Sequence, residues 1–339
     1  MEIRKIQVTG AGDTRIISLP KEWAERHNLD KGANIIIKEL SGGELLIFPQ
    51  ESPLDRQKRI ARIIESNHVT RDILAAYLLG SDIIVVVSRN QEPLSKKSEI
   101  KELSRQLIGL EILGETQERI ELHFLIGEEK ENPRKYVKRC FSIANQMQND
   151  VITAFMNADP VLANEVIARD IEVNRLYFLI VRMLKIMVDD KREISHLKST
   201  ACLDWRMIAS YSEDLGDASV EFAKILEKNP RMKDTLTSET LNKIKKLGEL
   251  TTDLLDQSLN CFFEQDVNAA EELKSKIAIE LQKSHSEIQN DISGLEKEIV
   301  WNLSYLLNLF KELRETAIDI GDLVIANDTS LDTQPPFQS

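Results

Sequence analysis

From Pro133 almost to its end, this 339-residue chain follows a helical pattern. Apolar residues recur at spacings of three and four, beginning with Val137, Phe141 and Ala144, as expected for the buried face of a helix. Turn signals interrupt the pattern near residues 159–160, 189–190, 229–230 and 265–266. We therefore predict a mainly α protein with a body of six helices over residues 133–327.

The helical region contains the same unit twice. Residues 154–170 read AFMNADPVLANEVIARD and residues 261–277 read CFFEQDVNAAEELKSKI. Each has an aromatic helix end, then an Asp, then an Ala four residues later. Further along, YSEDLGDASVEFA at 211–223 aligns with LRETAIDIGDLVIA at 313–326. The repetition predicts two three-helix bundles rather than a single irregular bundle.

Two smaller segments precede the helical body. Residues 1–50 form short strands, Gly turns and one helix beginning at Pro20, and the predicted strands are 3–9, 14–19, 34–40 and 44–48. Residues 50–62 read as a linker. Residues 63–128 predict a small α/β connector module with helices at 69–79 and 98–108 and strands at 82–87, 111–116 and 119–126. The tail, 328–339, reads as disordered.

Composition limits the possible functions. The formal net charge of −12 argues against a generally basic nucleic-acid-binding protein, so any DNA contact must be local. The three cysteines are far apart in sequence and favour buried thiols in a reducing cytoplasm. We expect no signal peptide and no membrane span, because the apolar stretch 73–87 is interrupted at Gly80 and is shorter than the roughly 20 residues that a bilayer requires.

Each repeat carries a pair of carboxylates four residues apart, Glu213 with Asp217 and Glu315 with Asp319. Residues at this spacing share one helix face, and two carboxylates there repel unless a cation or a basic side chain stands between them. Carboxylate oxygens suit Mg²⁺ or Mn²⁺ and also hold Fe or Zn. The alternative is that these pairs arise by chance on solvated faces of a chain with 56 acidic residues.

The two repeats resemble PhoU, a family of phosphate-uptake regulators built from two three-helix bundles. The family motif Glu/Asp-x-x-x-Asp corresponds to Glu213–Asp217 and Glu315–Asp319. The resemblance implies that these four carboxylates hold Fe or Zn clusters on the bundle surface, with Asp170 and Asp214 as further candidate ligands. The second repeat has Ile277 where the first has Asp170.

Residues 1–50, called the head from here on, resemble the AbrB/SpoVT swapped-hairpin domain. The matching residues are Gly10, Thr14, Arg15, Ser18, Leu19, Pro20, Lys21, Trp23, Leu29, Gly32 and Pro49. About 50 residues in four short strands form too small a core to be stable alone, so exchange of a hairpin with a second copy is expected to make an obligate homodimer. The resemblance also implies DNA binding through Arg4, Lys5 and Arg15, with Lys21 as a further candidate.

Charge leaves two interpretations of the head open. Residues 1–50 carry equal numbers of basic and acidic side chains, so DNA binding needs a local basic face. Arg4, Lys5 and Arg15 are the residues expected to form it. The alternative is a head that serves only for dimerisation, with these charges simply solvated.

No enzyme signature is present in the sequence. The five histidines are scattered, and Glu193 with His196 is a single Glu-x-x-His where di-iron bundles use two. There is no P-loop and no dinucleotide-binding glycine motif that opens a helix. We expect a regulator rather than an enzyme.

The sequence therefore predicts a cytoplasmic, dimeric transcriptional regulator of the phosphate-uptake type. In it, a swapped-hairpin head binds promoter DNA and a PhoU-like body receives a signal from a phosphate transporter ATPase or a sensor kinase. The alternative is an adaptor that docks on the transporter without binding DNA. A third hypothesis is a metal-storing or metal-dependent carboxylate bundle protein.

Overall fold

The computed structural model describes residues 3–9, 14–39, 43–50, 58–90, 92–126, 132–189 and 201–326. The chain divides into two compact units, residues 1–58 and residues 59–339. The predicted glycine turn at 10–12, the single Glu-x-x-His at 193–196 and the tail at 328–339 lie outside the described residues. In the described part of the chain, no helix is long and apolar enough to span a bilayer.

The first unit contains two β-hairpins and one short helix. Strand β1 (Gln7–Thr9) pairs antiparallel with β2 (Thr14–Ile16), and β3 (Ile35–Glu39) pairs antiparallel with β4 (Leu45–Pro49). Helix α1 (Lys21–Arg26) lies between the hairpins and starts after Pro20, whose extended backbone serves as the N-cap. Pro favours a helix start because its missing N–H has no partner there anyway. The predicted elements of the head are thus confirmed.

The head buries very little apolar surface. Phe48 is the only buried residue in its described part, 3–9, 14–39 and 43–50. Ile3, Val8, Ile37 and Leu45 are 88%, 60%, 57% and 62% exposed. The two hairpins also form separate two-stranded sheets, which are marginally stable at best in isolation.

The connector module is a four-stranded sheet with two helices. Its elements are β5 (Ile60–Ile64), α2 (Val69–Leu78), β6 (Ile83–Val87), α3 (Lys97–Gln106), β7 (Leu110–Glu115) and β8 (Arg119–Phe124). The strand order is β5-β6-β8-β7, with β5 parallel to β6 and the other pairs antiparallel. Residues 50–62 were predicted to be a linker, and this prediction is wrong for residues 60–62, which belong to β5. Its short apolar alternation is interrupted by Arg62.

The helical body follows the predicted division. Its helices are α4 (Pro133–Asn157), α5 (Pro160–Asp189), α6 (Ala201–Lys228), α7 (Ser238–Glu264), α8 (Val267–Ile292) and α9 (Lys297–Ala326). Helices α4–α6 pack as one bundle and α7–α9 as a second. The two bundles share one continuous apolar core.

The repeat is visible in the backbone. Helices α4 and α7 end at Ala158 and Gln265, which both adopt the left-handed conformation, with φ of 53° and 56°. The next residue in each copy starts the following helix. Oδ1 of Asp159 accepts hydrogen bonds from the N–H groups of Val161 and Leu162, and Oδ1 of Asp266 accepts one from Ala269. These side chains satisfy N–H groups that have no partner within the helix.

The two bundles meet through α4 and α7, and equivalent positions of the repeat contact each other there. Nδ2 of buried Asn145 donates to the carbonyl oxygen of Thr252 at 3.2 Å, and these residues are 107 positions apart, the same separation as Ala158 and Gln265. Gly248 allows the close approach, because a Cβ there would lie 2.8 Å from Cδ1 of Ile152.

The connector module packs on α5 through a buried arginine. Nη1 of Arg182 donates to the carbonyl oxygens of Tyr77 at 2.7 Å and Ser81 at 3.0 Å. Gly80 lies between these two acceptors at a φ of 84°, and a Cβ there would be 2.8 Å from Cγ1 of Ile186. The glycine turn after α2 therefore both supplies backbone acceptors and lets α5 approach.

Candidate functional site

The predicted DNA-binding residues lie at or near the first hairpin. Arg15 is on β2, opposite Val8 of β1, and Arg4 and Lys5 immediately precede β1. All three side chains are exposed. Lys21 opens α1 and its Nζ lies 3.5 Å from Oε1 of Glu25, so part of its charge is compensated.

The predicted metal ligands of the first repeat form an acidic group on α5 and α6. Burial and the charges of Asp217, Asp214 and Asp170 raise the pKa of Glu213. Burial and the charge of Asp217 likewise raise the pKa of Asp170 and of Asp214. These carboxylates therefore lie close enough to repel each other, and the structure brings together all four residues that the sequence had singled out in this repeat.

Gly216 shapes this acidic group. A Cβ at this position would lie 3.3 Å from Oδ1 of Asp170, so the glycine leaves room for Asp170 of α5 beside α6. Oδ2 of Asp170 accepts a hydrogen bond from Nδ2 of Asn174 at 2.7 Å. Oδ1 is buried and has no hydrogen-bond donor among the described residues. The nearby cations are Arg206 and Lys224, whose charges lower the pKa values of Glu213 and Asp170 respectively.

In the second repeat, the carboxylates already have basic partners. Oε1 of Glu315 lies 3.7 Å from Nζ of Lys311 and 3.6 Å from Nη2 of Arg314. Asp322 forms an ion pair with Lys274 of α8. Burial and the charges of Asp322 and Glu315 raise the pKa of Asp319. Here basic side chains of the protein reduce the repulsion that the sequence spacing implies.

Tyr211 links the two acidic groups across the bundles. It lies on α6, and the interaction of its hydroxyl with Asp319 of α9 partly offsets the rise in the pKa of that carboxyl group. Burial, followed by the charges of Asp319 and Asp214, raises the pKa of the Tyr211 hydroxyl. Both carboxylate motifs thus lie along one seam, where α6 contacts α9.

The seam contains no preformed metal centre in the described part of the chain. Within residues 3–9, 14–39, 43–50, 58–90, 92–126, 132–189 and 201–326, no three His, Cys, Asp or Glu side chains converge in the way that would hold a metal ion. The side chains as placed therefore do not form the cage that a multinuclear Fe or Zn cluster needs, and a bound metal stays a prediction.

The first bundle matches the model of a known protein family. The model of the PhoU domain matches residues 137–226, a span that runs from α4 to the end of α6 and includes Asp170, Glu213 and Asp217. Residues 137–226 are similar to a PhoU domain. The motif Glu213–Asp217 lies on α6, the third helix within that span, and its role in holding a metal stays a prediction.

A solved structure shares its fold with more than half of this chain. PhoU from Pseudomonas aeruginosa has 15% sequence identity and a TM-score of 0.51, and the match covers 57% of this chain and 93% of that one. A phosphate transport system regulatory protein PhoU from Streptococcus pneumoniae has 14% identity and a TM-score of 0.48, with 58% of this chain and 94% of that one covered. Among curated proteins, none matches the chain significantly.

The head has its own family match. The model for antidote-toxin recognition MazE, a bacterial antitoxin, matches residues 11–55. That span includes the second strand, the short helix and the second hairpin, where most residues that suggested the AbrB/SpoVT resemblance are found. A small β head of this type therefore precedes the PhoU domain.

Sequence reasoning missed two residues that organise the second unit. Tyr211 lies two residues before Glu213 of the first motif, but nothing in its spacing indicates a contact with α9. Arg182 did leave a signal, because it is one of two cations, with Lys185, in the otherwise apolar run from Leu179 to Met187. A charged residue that is fully buried in such a run usually has a specific partner.

Proposed function

We propose that this chain is a dimeric regulator of phosphate uptake that binds promoter DNA through its head and receives its signal through the PhoU-like body. The observation that carries the proposal is the combination of a PhoU domain and a MazE-type head in one chain. The function of the named relatives as phosphate transport regulators supplies the process. The protein would act in the cytoplasm.

Pairing of two heads is supported by the exposed apolar strands of the first unit. Ile37, on β3, is 57% exposed, and Leu45, on β4, is 62% exposed. Two copies that exchange or pair hairpins would cover these side chains, because their separate two-stranded sheets provide no such cover. A homodimer also presents each basic hairpin twice, which suits a two-fold-related DNA site.

DNA binding is supported by the position of three cations at the first hairpin. Arg4, Lys5 and Arg15 are exposed and lie on or beside paired strands. The head is close to neutral overall, so the contacts are expected to be few and sensitive to salt. Each lost phosphate contact reduces the slope of log K against log salt by about 0.9.

Fluorescence anisotropy with DNA from upstream of the chain's own gene tests the proposal. We expect salt-dependent binding that Arg4→Ala with Arg15→Ala weakens at least tenfold. The matched control is Arg26→Ala with Lys31→Ala, which removes the same charge from the α1 side of the head and should bind nearly as well. Equal loss in both variants would indicate a non-specific charge effect.

The adaptor alternative predicts a different result. A stable dimer that does not bind this DNA at low salt would contradict a DNA-binding head. The search would then turn to the phosphate transporter ATPase or a sensor kinase as the partner of the helical body.

A metal on the acidic seam is a separate proposal. Elemental analysis of the purified protein, beside a Glu213→Ala and Glu315→Ala variant, tests it directly. Protein without stoichiometric Fe, Zn, Mn or Mg would exclude a resident metal and the metal-storing hypothesis together.

A further inference from the structure

The sheet of the connector module has one covered face and one open face. On the covered face, Ile84, Val86, Ile120 and Leu122 are 0% exposed. Helices α2 and α3 lie against this side. The alternate side chains of the same strands point the other way, because successive residues of a strand alternate between faces.

The open face is apolar along its two parallel strands. Ile60 and Ile64 of β5 are 64% and 54% exposed, and Ile83, Val85 and Val87 of β6 are only half-buried. Parallel strands are normally covered on both faces, and such strands read as continuous apolar runs. The run IIVVV of β6 has this composition, yet in the described part of the chain only one of its faces is fully buried.

We propose that a second copy of this chain covers the open face, with a two-fold axis parallel to β6 and passing beside Val85. The register of the strands supports this arrangement. Arg62 of β5 pairs with Val85 of β6, and Val85 pairs with Glu121 of β8, so these three residues form one row across the sheet.

A two-fold rotation about β6 exchanges the positions of β5 and β8. Arg62 of one copy then faces Glu121 of the other, twice per dimer, while Val85 packs against its own equivalent on the axis. Packed sheets lie about 10 Å apart, a gap that Arg and Glu side chains can bridge together. Twist between the sheets displaces the strand ends most and this central row least.

The outer rows of the open face fit the same arrangement. In them, Ile64 would face Arg119 of the second copy and Ile60 would face His123. An aliphatic side chain opposite the stem of an arginine or an imidazole ring leaves no buried pair of like charges. The rotation therefore places no basic side chain opposite another basic one.

A second copy of the chain is also the partner that a head dimer would hold nearest to the open face. This argument rests on the proposed head dimer. Residues 51–58 separate β4 and Gln50 from the module, and a chain of this length reaches at most about 30 Å. Pairing of two heads would therefore hold two modules at high effective concentration.

Crosslinking of the full-length protein tests the arrangement. The native thiols Cys140, Cys202 and Cys261 are 0%, 3% and 8% exposed, so an introduced cysteine reacts first. We expect Val85→Cys to form a disulfide between copies on mild oxidation, because packed sheets about 10 Å apart bring the two side chains on the axis into contact. The control is Leu79→Cys, at the end of α2 and 64% exposed, which should not crosslink between copies.

Charge exchange tests the specific pairing. In the Val85→Cys background, Arg62→Glu should slow crosslinking about fivefold or more, because it places two carboxylates opposite each other. Adding Glu121→Arg with Arg119→Glu to that variant reverses the ion pair that Glu121 makes with Arg119 in the same chain, and it should restore the rate. Failure of the restored pair to recover would overturn the predicted axis.

Two further outcomes separate this inference from the proposed head dimer. A protein that light scattering shows to be dimeric, but in which Val85→Cys does not crosslink faster than Leu79→Cys, would overturn the sheet pairing alone. A crosslinked Val85→Cys dimer whose association is unaffected by Ile37→Asp in the head would support the sheet pairing and overturn the head dimer.

Discussion

The guanidinium carbon of Arg182 lies 3.9 Å from the centre of the Phe124 ring. Arg182 belongs to α5 of the PhoU domain and Phe124 to β8 of the connector module. The same guanidinium lies 5.1 Å from the ring of Tyr77, and its Nη1 donates to two carbonyl oxygens of the module. One fully buried cation thus joins two parts of the second unit, so it is expected to couple their motions.

Replacing Arg182 by Met tests this junction. Met keeps much of the apolar volume but removes the charged donor to both carbonyl oxygens. The oxygen of Tyr77 still accepts a hydrogen bond from the N–H of Gly80 at 3.0 Å. The loss is therefore that of hydrogen bonds from a charged donor, each worth about 1.5–3 kcal/mol. We expect the free energy of unfolding, measured with urea, to fall by about 2–4 kcal/mol. Hydrogen exchange should increase first in β6 and β8.

The matched control is Lys185→Met, one turn further along α5 on an exposed site. This substitution should change the free energy of unfolding by no more than about 0.5 kcal/mol. Similar losses in the two variants would show that the cation at position 182 has no special role in docking the module.

Gly248 is expected to determine how closely the two bundles pack. A Cβ here would lie 2.8 Å from Cδ1 and 3.2 Å from Cγ2 of Ile152, which is itself buried. Gly248→Leu should therefore overpack the α4–α7 contact and lower the free energy of unfolding by about 1–3 kcal/mol. Gly294→Leu is the control, since a Cβ at Gly294 would meet nothing within 4 Å. Equal stability of both variants would contradict the close contact.

Tyr211 should stabilise Asp319 in its charged form. Tyr211→Phe removes the hydroxyl whose interaction with Asp319 lowers the pKa of that carboxyl group, so this pKa should rise further above its usual value. An NMR titration of the Asp319 carboxyl carbon would measure the change. Tyr305→Phe, at a residue 41% exposed on the same helix as Asp319, should leave the titration unchanged.

The acidic group on α5 and α6 should make stability depend on pH. Burial and the charge of Asp217 raise the pKa of Asp170, so the folded protein binds this proton more tightly than the unfolded chain does. Stability therefore falls as pH rises from the ordinary value near 4 through the raised value in the fold. At pH 7, the buried charge of the Asp170 carboxylate lowers the free energy of unfolding.

Asp170→Asn removes that buried charge. Its Tm should exceed that of the unsubstituted protein by roughly 1–3 °C at pH 7 and differ little near pH 4. Glu172→Gln, at an exposed site on the same helix, should show no such pH-dependent gain. A lower Tm for Asp170→Asn at pH 7 would mean that the carboxylate is stabilised by a cation, and a bound metal would be the first one to seek.

Local sequence was sufficient to place most of the elements. Helix ends followed from caps such as Asp159 and Asp266, and the internal repeat followed from the aligned sequences around them. Strand β5 was missed because Arg62 breaks its apolar pattern, and only pairing with β6 makes the segment a strand. The division between α8 and α9 near Gly294 likewise had no signal among those that were read from the sequence.

The sequence also indicated two pairs of carboxylates, but it could not show that α6 and α9 bring the pairs to one seam, or which side chains are their partners. Glu213 and Asp217 lie near other carboxylates, whereas Glu315 lies near Lys311 and Arg314 and Asp322 pairs with Lys274. The same spacing therefore has different electrostatic surroundings in the two bundles. Which side chains of neighbouring helices come within reach depends on packing across the bundle, and periodicity along one helix carries no such information.

By itself, the sequence determined the architecture: a small β head, an α/β module and two copies of a three-helix unit. Those features depend on periodicity, caps and turns, which act over a few residues. Only the tertiary structure decided that Arg182 is buried against Phe124, that Tyr211 reaches Asp319, and that one face of the module's sheet stays open. Contacts between residues far apart in the chain depend on how whole elements pack, because packing rather than local preference sets those distances.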